Sequence, residues 1–170
     1  VGVERERIGL IHRGFSYFGE TKYRNAPMWH LVFEMRSRFP DLPMILDPSH
    51  IGGDRKYIQD LTQAGSDMRY DGFIIERHIC PDQALSDAAQ QVTPANLNDI
   101  LPRVNWRSVS NDNPEFLTAL EQYREAIDRI DSEVFDLLRR RLQVAGKIGQ
   151  VKRDNNVAIL QGGRWASILE

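Results

Sequence analysis

An α/β layer followed by an all-α segment is expected from three features of the 170-residue chain. Over the first hundred residues, short apolar runs alternate with amphipathic stretches, the βα grammar of a parallel sheet. A polar joint follows, NWRSVSNDNP. From about Glu115 to Asp154 there is then no proline, and apolar residues recur every three or four positions, the period of a helix.

Ile8-Gly9-Leu10-Ile11 reads as the first strand and runs into His12-Arg13-Gly14. Pro43-Met44-Ile45-Leu46 reads as the second, ending in Asp47-Pro48-Ser49-His50. Gly72-Phe73-Ile74-Ile75 reads as the third, ending in Glu76-Arg77-His78. Such continuous apolar runs belong to strands covered on both faces. Helices are expected at about Ala26 to Phe39, Arg55 to Met68, and Ala95 to Leu101, the last after the start signal Thr93-Pro94. Each strand ends in polar, chemically capable residues, and in a closed barrel of this kind functional groups sit at the carboxyl ends of the strands. A complete eight-stranded barrel takes about 250 residues, so three βα units imply five more upstream. The expected division is 1–102 for the α/β part, a joint over 103–114, and 115–170 for the helical part.

The long helix has its apolar stripe at Phe116, Leu120, Tyr123, Ile127, Ile130, Val134 and Leu137, then Val144, Ile148 and Val151. Roughly 40 residues at 1.5 Å each give about 60 Å. A helix that long and amphipathic demands a partner helix, so a dimer or larger assembly is expected. Arg141 stands where the repeat calls for an apolar residue, which is costly to bury without an anionic partner. Lys152 lies eleven residues further on, about 16 Å along the axis and rotated by only about 20°, so the two cations share a face. Arg124 points about 100° away and would serve a different side. Arg139 and Arg140 read as solvated surface.

Composition narrows the function classes. Hydrophobic residues make up 41% and charged residues 27%, with a formal net charge of −2, so no basic face advertises nucleic acid. No apolar run reaches the roughly 18 to 20 residues that span a bilayer. The single cysteine, Cys80, excludes an internal disulfide and fits a cytoplasmic protein. The first residues are charged and do not form a signal peptide. Both ends read as cuts through structure, and the chain is expected to be a fragment.

His50, Glu76 and Asp87 stand out together. One imidazole and two carboxylates suit a divalent first-row metal, Mn or Fe by preference, with Co or Zn tolerated. His50 and Glu76 are expected at strand ends, and Asp87 in a loop able to fold back over the same mouth. Asp47 either orients His50 or takes part in proton transfer. His12 and His78 read as hydrogen-bonded wall residues, and Cys80 as an ordinary loop or core cysteine.

The stretches IHRG, KYRNAP, LPMILDPSHIGG, DGFIIERH and ALSDAAQQVTP, in that order, resemble the carboxy-terminal half of DAHP synthases over about residues 6 to 102. The resemblance implies an aldol-like condensation of phosphoenolpyruvate with erythrose 4-phosphate, releasing phosphate. It also implies metal ligation by His50, Glu76 and Asp87, with the ion polarising the sugar aldehyde. Arg13 matches an arginine that contacts phosphoenolpyruvate, and Arg24 is expected near a substrate phosphate. A cysteine ligand and further cations of the family pattern would lie upstream of Val1, and Cys80 is not at that ligand's place.

REAIDRID, LLRRR and IGQVK, followed by a short break and Arg164, resemble the start of the all-helical AroQ-type chorismate mutases. On that pattern Arg124 enters a partner subunit's site, while Arg141 and Lys152 line the local one. Arg164 matches an arginine at the start of a second helix. Gln161 and Trp165 depart from the commonest pattern, which has acidic residues there. The implied reaction converts chorismate to prephenate without a cofactor, with arginines on the carboxylates and Lys152 facing the ether oxygen. The two resemblances together imply a bifunctional enzyme of the shikimate pathway, with feedback by prephenate or chorismate. Two other readings are a catalytically silent piece whose long helix mediates assembly or regulation, and an aldolase that uses a pentose phosphate.

Overall fold

The computed structural model describes residues 2–159. The chain divides into two units, Val1–Val109 and Ser110–Glu170. In the first unit, β1 (Leu10–His12), β2 (Met44–Leu46) and β3 (Gly72–Phe73) form a parallel sheet in the order β1-β2-β3. Leu10 pairs with Met44 and Ile45 with Gly72. α1 (Trp29–Arg38) joins β1 to β2, and α3 (Ile58–Asp67) joins β2 to β3. The alternation read from the sequence is thus a parallel three-stranded sheet with crossover helices.

β1 lies two residues later than expected, because Ile8 closes a 3-10 turn over Arg5–Arg7 by donating to the Arg5 carbonyl at 3.1 Å. It is also not covered on both faces: Ile11 is 56% exposed, whereas Met44 and Leu46 on the central strand are buried. α1 begins at Trp29, later than expected, because Ala26 is taken into a bridge with Phe15 and Met28 adopts a left-handed backbone.

α3 buries Ile58, Leu61, Thr62, Gly65 and Ser66, the i, i+3, i+4, i+7 stripe of an amphipathic helix. Gly65 sets how closely it packs: a Cβ there would stand 2.5 Å from Phe73 and 2.6 Å from Leu46. The core gathers Val32, Met44, Leu46, Ile51, Leu61 and Tyr70 between sheet and helices.

DPSH does not simply end β2. Asp47 caps a short helix, α2 (Pro48–Gly52), with Pro48 in its first turn, where a missing N–H costs nothing. His50 is therefore a helical residue. Past β3 the chain stays extended: Ile74 donates to the Leu46 carbonyl at 2.8 Å, and His78 to the Val92 carbonyl at 2.9 Å. Thr93 caps α4 (Pro94–Ile100) by accepting from the Asn96 N–H. Part of the expected joint packs onto this unit: Val104 is buried, Trp106 meets Phe73 edge-on at 5.5 Å, and Ser66 donates to the Asn105 carbonyl at 2.9 Å.

In the second unit, α5 (Pro114–Asp154) is one uninterrupted helix of 41 residues, capped by Asn113, which accepts from the Glu115 N–H. It contains no buried residue. Ile127, Ile130, Leu137 and Ile148 each remain more than half exposed. No helix among the described residues is long and apolar enough to cross a membrane.

Candidate active site at the ends of the parallel strands

Two glycines let the KYRN segment lie against the ends of β1 and β2. Gly14 has φ +79, and a Cβ on it would fall 2.6 Å from the Asn25 Cβ. Gly53 has φ +66, and its Cβ would fall 2.4 Å from the Arg24 Cβ. Backbone bonds fasten the same segment, Arg24 N–H to the Gly52 carbonyl and Asn25 N–H to the Ile51 carbonyl. The Asn25 amide donates to the His50 carbonyl at 2.8 Å. Arg24 is thereby delivered beside DPSH.

Asp47, 4% exposed, holds His50 twice. One carboxylate oxygen accepts the His50 N–H at 3.0 Å, and the other meets the ring at Nδ1, 2.6 Å away. An ionised carboxylate only accepts, so Nδ1 donates to it, and in the neutral ring Nε2 then presents a lone pair. Nε2 faces Glu76 Oε1 at 3.5 Å. Glu76 is placed by Ser49, whose hydroxyl accepts its N–H at 2.9 Å. Two acceptors facing one another are favourable only with a cation or proton between them. Two donors each about 2.1 Å from a shared first-row ion stand about 3.0–3.5 Å apart, so His50 and Glu76 fit a divalent ion. Of the two roles considered for Asp47, orienting His50 is the one this geometry supports.

Asp87 is close by but otherwise engaged. It adopts φ 49 ahead of a 3-10 turn, Ala88–Gln90, and its carboxylate accepts from Arg24 Nη1 at 2.6 Å. That hydrogen bond holds its carboxyl below the usual range, with the charges of Arg24 and Arg13 adding to the effect. Among the described residues no three His, Cys, Asp or Glu side chains are gathered as a metal group. The expected trio is a facing pair with Asp87 turned to Arg24. Arg13 is exposed just beyond β1.

Three contributors escaped the sequence reading. Gln90 is 1% exposed, accepts from Arg24 at 3.0 Å and donates to Glu76 Oε2 at 2.8 Å. Ser49 carries the Glu76 backbone. Arg55 clamps the loop by donating to the Ala88 carbonyl and to Asp82, each at 2.8 Å. None has a periodicity or spacing that would mark it; Gln90 in AAQQ looks like surface.

His12 and His78 behave as wall residues. His12, 5% exposed, meets the Tyr70 hydroxyl at 2.6 Å through Nδ1. Burial lowers its pKa, and the same burial raises that of Tyr70. His78 Nδ1 lies 2.7 Å from the Cys80 carbonyl and 3.0 Å from its N–H, and Cys80 is an exposed loop cysteine.

On α5, Arg141 is exposed and Arg124 lies 3.7 Å from Glu121. Lys152 is half-buried beneath the turn that ends the helix and donates to the Ile159 carbonyl at 2.7 Å. The continuous helix keeps Arg141 and Lys152 on one face, three turns apart. Arg164, Gln161 and Trp165 lie outside the described residues.

Comparison with known proteins finds two family matches in the chain. Residues 2–109 match the profile of the DAHP synthetase I family, and residues 123–170 that of chorismate mutase type II. A phospho-2-dehydro-3-deoxyheptonate aldolase of Thermotoga maritima is 41% identical over 86 residues, covering 51% of this chain and 25% of that protein. A 2-dehydro-3-deoxyphosphooctonate aldolase of Wolinella succinogenes is 34% identical over 110 residues, 55% of this chain and 38% of that one. The solved truncated form of 3-deoxy-D-arabino-heptulosonate 7-phosphate synthase from Thermotoga maritima superposes with a TM-score of 0.50 at 32% identity, covering 55% of this chain and 35% of that one. The chain spans between a quarter and two fifths of the length of these relatives.

Proposed function

The chain belongs to the DAHP synthetase I family across residues 2–109, and we propose that its whole protein condenses phosphoenolpyruvate with erythrose 4-phosphate and also rearranges chorismate to prephenate. The observation that carries the first activity is the pair of facing acceptors, His50 Nε2 and Glu76 Oε1, 3.5 Å apart and each held from behind. A divalent first-row ion (Mn, Fe, Co or Zn) would be held by His50 and Glu76, with Asp87 joining them on release from Arg24, and would supply Lewis acidity toward the sugar aldehyde. Arg24 receives a substrate phosphate, and Arg13 the carboxylate or phosphate of phosphoenolpyruvate, the fork of a guanidinium matching both. We read the three βα units as part of a (β/α)8 barrel, whose strand ends face one mouth.

For the second activity, Arg141 and Lys152 line one face of α5, Arg124 serves a partner subunit's site, and Arg164 contributes from beyond the helix. Guanidinium groups hold the two carboxylates of chorismate. The Lys152 ammonium faces the ether oxygen as charge develops on it, a preorganised electrostatic effect that requires no cofactor. The apolar stripe of α5, exposed along its length, favours assembly of the protein as a homodimer or larger.

The experiment follows phosphoenolpyruvate loss with Mn²⁺ and either erythrose 4-phosphate or a pentose phosphate, with chorismate loss measured separately. Erythrose 4-phosphate is the expected co-substrate. Preference for the pentose phosphate would reassign the first activity, and an inert full-length protein would leave α5 as an assembly or regulatory element.

A further inference from the structure

Gln90 sits between the two halves of the site, and its neighbours dictate its orientation. An arginine has donors only, so Arg24 Nη1 at 3.0 Å identifies the amide oxygen of Gln90. The amide nitrogen must then be the atom 2.8 Å from Glu76 Oε2, where it donates. With Oε2 engaged, Oε1 is the oxygen left facing His50 Nε2 at 3.5 Å. Asp47 acts likewise on the other side, taking Nδ1 of His50 and leaving Nε2. At 1% exposure, Gln90 has no water to replace either partner, and a buried amide that loses one is left unsatisfied.

We infer that Gln90 is a positioning residue serving two ligands at once: it presents Glu76 Oε1 to the divalent ion and holds Arg24 for the phosphate. One buried amide thereby places an anionic and a cationic group of opposite function in fixed relation. Arg55 supports it from behind by fastening the carbonyls of Ala88 and Ala89, the residues just before it. The inference rests on the proposed ion- and phosphate-binding reading of this cleft.

The test is Gln90→Met, which keeps length and apolar bulk while removing both polar contacts. Affinities for Mn²⁺ alone and for inorganic phosphate alone are measured by calorimetry on the full chain. The comparison variant is Val32→Ala, which perturbs the buried core from α1. Gln90→Met is expected to weaken Mn²⁺ binding by about 10–100-fold and to weaken phosphate as well, while Val32→Ala leaves both affinities near wild type. Unchanged binding of both ligands in Gln90→Met overturns the proposal, and loss of only one overturns the claim that it serves both. If wild-type protein shows no His50-dependent Mn²⁺ binding, the metal reading itself has failed. The side-chain amide resonances of Gln90 then decide, as they do if Gln90→Met fails to fold. Displacement of those resonances by both Arg24→Gln and Glu76→Gln upholds the double role, and indifference to either refutes it.

Discussion

His50 Nε2 and Glu76 Oε1 face one another at 3.5 Å, and Asp47 grips the far side of the same imidazole. Asp47 accepts from both the backbone and the ring of His50. An amide at that position has one accepting oxygen for two donors, so Asp47→Asn loosens the ring without emptying the pocket. Mn²⁺ affinity, read by electron paramagnetic resonance, is expected to fall about 10–100-fold with the fold intact. Binding equal to wild type would show that Asp47 does not act through His50.

Gly53 is a second lever on the cleft. Its φ of +66 penalises any L side chain, and a Cβ would fall 2.4 Å from the Arg24 Cβ. Left-handed backbone and overpacking together are expected to make Gly53→Ala cost roughly 2–4 kcal/mol of stability. The clash is with Arg24, so phosphate affinity should fall further than a comparably destabilised core variant allows. A melting curve and a phosphate titration check the two effects separately, and stability equal to wild type would contradict the close approach.

The strand ends were legible because polar motifs interrupt apolar runs there, and IHRG, DPSH and IIERH each lie where a parallel strand gives out. The helix inside DPSHIGG was less so, although Asp47 followed by Pro48 is a start signal; one turn of helix has no room for periodicity. Gln90 carries no signal at all, since a buried amide is recognisable only once Arg24 and Glu76 stand on either side of it. The joint misled in the other direction. Its polar run hides Val104 and Trp106, two apolar residues that pack onto the α/β unit.

His12 predicts a pH dependence of stability. Burial lowers its pKa, whereas the unfolded chain has the ordinary value near 6.5. As pH falls through about 6.5 the unfolded state takes up the proton first, so this contribution is complete above that pH and is lost below it. Urea midpoints at pH 8, 6.5 and 5 should therefore decline toward acid. His12→Gln should flatten that decline between pH 7 and 5. An identical slope in the variant would assign the acid sensitivity elsewhere.

Leu46 is fully buried on the central strand, among Met44, Ile51 and Leu61. Leu46→Ala is expected to cost about 2–5 kcal/mol. Its neighbour on β2, Ile45, is less deeply buried, so Ile45→Val should cost about 0.5–1.5 kcal/mol. Denaturant titration of both variants checks the order, and a reversed order would mean that the opposite face of the sheet carries the core.

α5 yields the prediction about assembly. Its apolar residues at Phe116, Tyr123, Ile127, Ile130, Val134 and Leu137 are each between 45% and 72% exposed. With Leu120 between the first two, they repeat at alternating spacings of four and three from Phe116 to Leu137. A heptad-like stripe buries itself against another helix, and in proteins most helical stability comes from packing such an amphipathic face. Sedimentation at micromolar concentration should therefore show a dimer or larger species. Ile130→Glu, in the middle of the stripe, should shift it toward monomer and lower the helix content. Arg140→Glu, an exposed position off the stripe, should leave the assembly intact. A monodisperse wild-type monomer would remove the stripe as an interface, and equal dissociation by both substitutions would show that charge, not the apolar face, governs association.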